Sequence, residues 1–528
     1  MEKGKVKLDA GLKSLNHYQQ KLPGWRYWLR QRLLPLIRWE TPYLAWLQER
    51  TRTPFLDSWF AITANLGTHT FYMVMLPIIF WCGYTRFGRG VVHLLATGVF
   101  FSGFIKDLLC LPRPLSPPLH RITMSGSAAL EYGFPSTHST NAVSVVYYSL
   151  WHLNSLDSSL SPAAKIGLQV GLSVYAVSIV VGRLYCGMHG FTDVVVGSML
   201  GAILGFLQCS YGNAFDEYLY SGTIKDVFTI ILVIIVFVRI HPEPADSCPC
   251  FDDSVAFAGV LIGAQLGCWQ FSKSSFSVSD PSPATIPYSF QSLGLAKTAL
   301  RIIIGVVMVF VWREIMKPSL LRFLPPLFRV IERLGLSLPR RFFTRASEYT
   351  RVPDHLKDDD VIPNVSEIPS MLSNIRHPRR RAISVGPQSE ADAYETLAYR
   401  EKRRTESNAS ERKRSPNNVR LSQTVDGLWD VSSTNCVVQA KSAKSTRGLA
   451  EYEHMMGTGT PVNERDTDVT SVKHGIVAQD EEDMFSMITR PRVRYDVEVV
   501  TKLIVYSGIG WLSVMLAPRL FYYFGLSP

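Results

Sequence analysis

Residues 182–211 read GRLYCGMHGFTDVVVGSMLGAILGFLQCSY, and they set a cluster of charged and polar groups directly against an apolar run. After Asp193 no charged residue appears before Asp216. A helix needs roughly 20 apolar residues to cross a bilayer, and this stretch can supply them. Gly197, Gly201 and Gly205 recur every four positions, so one face of that helix can approach a neighbour closely. Arg183, His189 and Asp193 stand at the edge of the run. Ionisable groups at such an edge are costly to hold, which makes them functional candidates.

Further runs of the same kind lie on both sides, near 58–84, 90–109, 139–153, 166–182, 226–240, 254–271, 298–313 and 501–525. The fold class expected is an all-α polytopic membrane protein, a helical bundle of about eight or nine transmembrane helices. Within the first run the half from Asp57 to His69 is polar and reads as re-entrant. The chain has 528 residues, 47% of them hydrophobic, and a mean hydropathy of only +0.08. That mean averages very apolar segments with one long polar stretch. The net charge of +11 suits a membrane protein facing anionic headgroups, and no nucleic-acid module is present. Eight scattered cysteines, Cys248-Pro249-Cys250 among them, show neither a disulfide framework nor zinc-type pairing. Residues 1–21 are polar and lack the apolar core of a signal peptide.

Residues 22–47 place Arg26, Arg30, Arg32 and Arg38 among Trp, Tyr and Leu. Four arginines are too many for a spanning helix. The reading is a helix in the headgroup plane with its arginines snorkelling to phosphates, an ordinary amphipathic cytosolic helix being the alternative. Residues 340–497 are rich in Arg, Ser, Asp, Glu and Asn and read as a disordered insert. The insert holds kinase-like strings ending at Ser384 and Ser407, and glycosylation sequons at Asn364 and Asn408. The expected division is therefore an N-terminal tail with an interfacial helix (1–54), a catalytic membrane core (55–240), additional spans (241–339), the insert (340–497) and a final span (498–528).

Two further charged clusters flank the spans. Lys106 and Arg113-Pro114 stand at the end of the second span, and Pro135-Ser136-Thr137-His138 at the start of the third. These two share one loop, and the Arg183–His189–Asp193 cluster comes two crossings later, on the same membrane face. All three can meet in one pocket. Lys106, Arg113 and Arg183 offer permanent cations that suit a dianionic phosphate, the arginines through a planar fork. Ser136 and the backbone N–H groups of the following helix can add donors. Asp193, in the first turn of its helix, can hold one ring nitrogen of His189 and leave the other unprotonated towards phosphorus. His138 is then available to protonate a departing alkoxide. Taken singly, each residue has a plainer reading as a headgroup anchor, a structural histidine or a helix cap. Their order and shared face argue for a site.

At these residues the chain resembles the type 2 phosphatidic acid phosphatase (PAP2) superfamily, whose signature is K-x6-RP, PSxH and SR-x5-H-x3-D. The match is strong over roughly residues 100–200. Gly182 stands where the family usually has Ser. The wider strings SPPLHRITMSGSAALEYGFPSTHSTNA and GRLYCGMHGFTDVVVG resemble the sphingoid long-chain base 1-phosphate phosphatases, fungal ones above all. The resemblance implies a hydrolase of sphingoid base 1-phosphates in the endoplasmic reticulum membrane with its pocket towards the lumen. It implies that His189 forms a phosphohistidine, that Asp193 orients it, and that His138 protonates the leaving alcohol. Lys106, Arg113, Ser136 and Arg183 would hold the phosphate, with no metal or other cofactor. Expected partners are the lipid phosphomonoester and membrane lipids. A broad lipid phosphate phosphatase, an isoprenoid diphosphate phosphatase and a non-catalytic lipid-binding transporter or receptor are the competing readings.

Overall fold

The computed structural model describes residues 11, 15–66, 69–115, 119, 121–122, 131–155, 161–278, 283–336, 340–352 and 493–528. The described chain is helical almost throughout. The order is α1 (Leu15–Lys21), α2 (Gly24–Thr51), α3 (Pro54–Asn65), α4 (His69–Trp81), α5 (Thr85–Leu109), α6 (Thr137–Ser155) and α7 (Pro162–Tyr185). It continues with α8 (Phe191–Ser221), α9 (Ile224–Ile240), α10 (Cys250–Ser272), α11 (Phe290–Arg333) and α12 (Val497–Trp511). A π-helical turn (Leu512–Leu516) joins α12 to α13 (Ala517–Tyr523).

Six stretches are long and apolar enough to cross a membrane: α5, α7, α8, α10, α11 and the run Val497–Tyr523. The chain is a multi-pass membrane protein. Three other expected spans depart from that standard. The run 58–84 is two helices: α3, capped by Thr53 through the Leu56 N–H at 3.3 Å, ends at Asn65, and α4 begins at His69 as a separate apolar helix. Helix α9 has only 17 residues. Helix α6 carries Ser, Thr and Asn on its buried face and packs between α5 and α8, so protein rather than lipid is its solvent.

Helices α5 and α10 form the centre and are mostly buried, whereas α7 and α11 leave most of their apolar surface exposed to the surroundings. Ile166, Val170, Val174, Val177 and Val181 of α7 lie outside, as lipid-facing residues should. The glycine stripe of α8 turns inward against α6. A Cβ at Gly201 would stand 2.4 Å from the Thr140 carbonyl oxygen, and one at Gly197 would stand 2.6 Å from that of Ser136. The two backbones therefore meet only because no side chain separates them, and Thr140 Oγ1 donates to the Gly197 carbonyl at 3.0 Å. Arg89 of α5, buried in the bundle, meets Asp216 and Tyr220 of α8.

The reading of α2 needs correction. Arg26 and Arg30 are buried and do not reach outward. Arg26 donates from Nε to the Leu108 carbonyl at 2.8 Å and from Nη2 to the Asp107 carbonyl at 2.5 Å. Arg30 Nε donates to the Cys110 carbonyl at 3.1 Å. The last carbonyls of a helix have no partner within it, and these two arginines supply one. Arg32 and Arg38 are exposed. So are Trp25, Trp28, Trp39, Tyr43 and Trp46, which recur at helical spacing along one side.

The polar insert also begins later and ends earlier than its composition suggested. Phe343–Thr344 pairs in parallel with Arg494–Tyr495, and Asp496 accepts from the Ala346 N–H at 2.9 Å and the Tyr349 hydroxyl at 2.6 Å. Residues 340–352 and 493–497 are thus folded, held by side chains too sparse to register as an apolar run. Asn364, Ser384, Ser407 and Asn408 lie outside the described residues.

Candidate active site

Lys106 lies in the last turn of α5, where the helix dipole favours its cation. Cys110 closes the helix in a left-handed conformation (φ 52°), its N–H donating to the Lys106 carbonyl at 2.9 Å. The chain then turns to bring Arg113 back over the pocket. Gly133 N–H donates to the Leu111 carbonyl at 3.0 Å, so the segment leading into α6 runs beside this turn. Ser136 ends that segment and is fully buried. Its N–H donates to the Asp193 carbonyl at 3.0 Å, tying the start of α6 to the start of α8. Ser136 Oγ accepts from the Ser139 hydroxyl at 2.9 Å, leaving its own hydrogen to donate elsewhere.

The junction between α7 and α8 is a tight loop. Met188 and His189 N–H groups both donate to the Arg183 carbonyl, at 3.1 and 3.4 Å. The Arg113 guanidinium spans the gap, with Nη1 3.1 Å from His189 Nε2 and 2.9 Å from the Met188 carbonyl. A guanidinium has donors only, so Nε2 must be the accepting, unprotonated nitrogen and Nδ1 carries the proton. Nδ1 faces Asp193 Oδ2 at 3.5 Å. That is too long for the hydrogen bond read from the sequence. Asp193 Oδ2 instead accepts the Gly190 N–H at 2.8 Å. Contacts of this kind often tighten only when substrate is bound. Burial, then the charges of Arg113, Lys106 and Arg183, hold the His189 imidazole well below its ordinary pKa. His138 adds to that depression from the first turn of α6, where it is half-buried.

All seven residues singled out in the sequence therefore belong to one neighbourhood: Lys106, Arg113, Ser136, His138, Arg183, His189 and Asp193. Three neighbours were missed. Glu131 Oε2 bridges Lys106 Nζ at 3.3 Å and Arg113 Nη2 at 3.2 Å. Glu40 of α2 is buried and accepts from Thr192 through both its N–H, at 3.0 Å, and its hydroxyl. A Cβ at Gly190 would meet Glu40 Oε2, so a larger residue there would have to displace the Glu40 carboxylate. Arg121 is buried with Nη2 donating to the Pro114 carbonyl at 2.8 Å, and its charge bears on Arg113. Glu131 does lie within the quoted string before Ser136, but a search for cations and imidazoles passes over a carboxylate.

Donor atoms of Asp107, Cys248 and Cys250 lie within 4.8 Å of one another, all buried. Sequence spacing alone had left the Cys-Pro-Cys without a third donor, since Asp107 comes from a distant helix. Two thiols and a carboxylate suit a thiophilic ion. A separate cavity of about 500 Å³, lined by Arg86, Arg89, Asp216 and Lys273 among others, lies at the other end of α5 and α8. With Arg89 and Lys106 seventeen residues apart, that is roughly 25 Å from the histidines at the helical rise.

The PAP2 superfamily matches residues 87–215, which hold every one of the seven. The dihydrosphingosine 1-phosphate phosphatase of Schizosaccharomyces pombe is 40% identical over 321 residues, covering 60% of this chain and 76% of that protein. The chain belongs to the PAP2 superfamily. As a PAP2 protein it is a phosphatase, a hydrolase by class. A dihydrosphingosine 1-phosphate phosphatase of Saccharomyces cerevisiae is 32% identical over 316 residues, 59% of this chain and 75% of that one. Human sphingosine-1-phosphate phosphatase 2 is 26% identical over 305 residues, 54% of this chain and 73% of that one. No solved structure matches this PAP2 chain significantly.

Proposed function

We propose that this protein releases phosphate from sphingoid long-chain base 1-phosphates through a phosphohistidine on His189, at the lumenal face of the endoplasmic reticulum membrane. The observation that carries the reading is the 3.1 Å contact between Arg113 Nη1 and His189 Nε2, which holds a lone pair on the ring nitrogen beside a phosphate-binding cation. The substrate class follows from the fungal relatives, whose names specify dihydrosphingosine 1-phosphate.

Lys106, Arg113 and Arg183 take the phosphate oxygens, and the Ser136 hydroxyl donates a further hydrogen bond. Arg113 exchanges His189 for an oxygen of the substrate, which frees Nε2. The Nε2–P bond forms as the P–O bond to the lipid breaks, and His138 delivers its proton to the departing alkoxide oxygen. Asp193 stabilises the Nδ1–H as positive charge grows on the ring. Water then attacks phosphorus, its proton passes to His138, and the Nε2–P bond breaks to release phosphate. Three fixed cations balance the charge on the equatorial oxygens throughout, so the scheme calls for no metal. The lipid chain stays among the spans, and only the headgroup enters.

The test is purified protein assayed against sphinganine 1-phosphate, phosphatidic acid and lysophosphatidic acid. A marked preference for the first is expected, with release abolished in His189→Ala. Equal rates on all three lipids would remove the substrate assignment, and an active His189→Ala protein would remove the mechanism.

A further inference from the structure

We infer that Glu131 is a specificity residue whose carboxylate pairs with the ammonium group of the substrate, and that it excludes phosphomonoesters lacking one. The inference rests on the sphingoid base reading above and goes beyond it by naming the group that reads the headgroup. Three observations support it. Glu131 is anchored through its backbone, its carbonyl accepting from Arg113 Nε at 3.2 Å. The next residue, Tyr132, is fully buried and bonded to Asp246 through its hydroxyl at 3.1 Å and the Asp246 N–H at 2.9 Å. The Glu131 side chain, by contrast, remains 27% exposed at the pocket, with Oε2 resting on both Lys106 and Arg113.

That carboxylate occupies cations a phosphate must take. A dianion entering the pocket displaces Glu131 and then stands beside it, with like charges side by side. Any phosphomonoester meets this repulsion. A sphingoid base 1-phosphate carries its own remedy, because its ammonium sits on the carbon adjacent to the one bearing the ester oxygen. Glycerol-based and simple alkyl phosphates have no cation there and bear the penalty uncompensated. Selectivity of this form comes from a repulsive element as much as from an attractive one.

The experiment compares sphinganine 1-phosphate, its N-acetyl derivative and hexadecyl phosphate with wild-type protein, Glu131→Gln and Glu131→Asp. Wild type is expected to favour the free amine over both others. Glu131→Gln should lose about tenfold in that ratio of kcat/KM, falling on the amine substrate mainly through KM while rising on hexadecyl phosphate. Glu131→Asp, which keeps the charge, should retain the preference. Equal changes on all three substrates in Glu131→Gln, or a wild type indifferent to the amine, would overturn the role of Glu131. A wild type that releases no phosphate from sphinganine 1-phosphate would instead overturn the underlying function, so the two failures are distinct.

Discussion

His189 and His138 divide the proposed chemistry between nucleophile and acid, and their variants should fail differently. His189→Gln keeps a polar end near Arg113 but cannot carry a phosphoryl group. Phosphate release should fall by roughly a thousandfold or more, with no acid-labile phosphoenzyme on rapid quenching. His138→Ala should still form that intermediate from an aryl phosphate, whose leaving group needs no proton, and should then accumulate it. Acid pH tests the same imidazole. Because burial and three cations lower the His189 pKa, its neutral form persists below pH 6.5, and kcat/KM should keep its nucleophile at pH 6. The sign for stability is opposite in sense: below pH 6.5 the unfolded chain takes up a proton that folded His189 refuses. Thermal stability should therefore drop on acidification, by at most about 1.4 kcal/mol per pH unit for this one group. These residues were legible in the sequence because each is a costly charge or imidazole at the edge of a span. Glu131 and Glu40 were not, since the first is a loop carboxylate and the second lies in a helix whose charges read as headgroup contacts. Gly182 shows a local reason for departing from the family's Ser: a Cβ there would lie 3.0 Å from the Phe60 ring of α3.

Helix α2 shows how periodicity conveys a face without conveying its partner. Its exposed tryptophans were readable as an interfacial stripe, but the arginines on the other side looked the same as headgroup anchors. Only the fold places the end of α5 beneath them. Arg26 binds the Asp107 and Leu108 carbonyls, immediately after Lys106, so it sets where the Lys106 turn ends. Arg26→Ala should lower kcat/KM by about tenfold without contacting substrate, and leave the buried carbonyls of α5 unpaired at a cost of about 1–3 kcal/mol. Arg26→Lys should recover only part, since an ammonium cannot fork between two carbonyls. A uniform loss across substrates, measured beside an unchanged amine preference, separates this support from the selectivity assigned to Glu131. The glycine stripe of α8 behaves differently, because its spacing announced close packing and α6 supplies it. Gly201→Val would push a branched side chain into the Thr140 backbone. It should cost about 1–3 kcal/mol of thermal stability and displace the turn that carries Ser136 and His138.

Across the whole molecule, the ends of the polar insert are fixed to the pocket's own side. Arg494 donates to the Cys248 carbonyl at 2.8 Å and pairs with Asp252 at 3.4 Å. Arg340 donates to the His241 and Pro242 carbonyls, both at 3.1 Å. His241 in turn lies 3.7 Å from Asp107, the residue after Lys106. Counting crossings from the sequence gives the same side when α9 is taken as a crossing beside α8, α10 and α11, since four spans then separate the Asp193 cluster from the insert. One membrane face therefore holds the candidate pocket and both described ends of the insert. A lumenal pocket makes Asn364 and Asn408 available to glycosylation and withdraws Ser384 and Ser407 from cytosolic kinases; a cytosolic pocket reverses both. Sealed microsomes can decide this. With a lumenal pocket, added protease should leave the insert intact until detergent is present, and glycosidase treatment should shift the protein's mobility. Protection of the insert together with labelling of the pocket loop by a membrane-impermeant reagent from the cytosolic side would contradict the shared face. The charges tie these results together, because Arg340 and Arg494 can hold both the insert and the segment beside Asp107 only if the two never lie across the bilayer from each other.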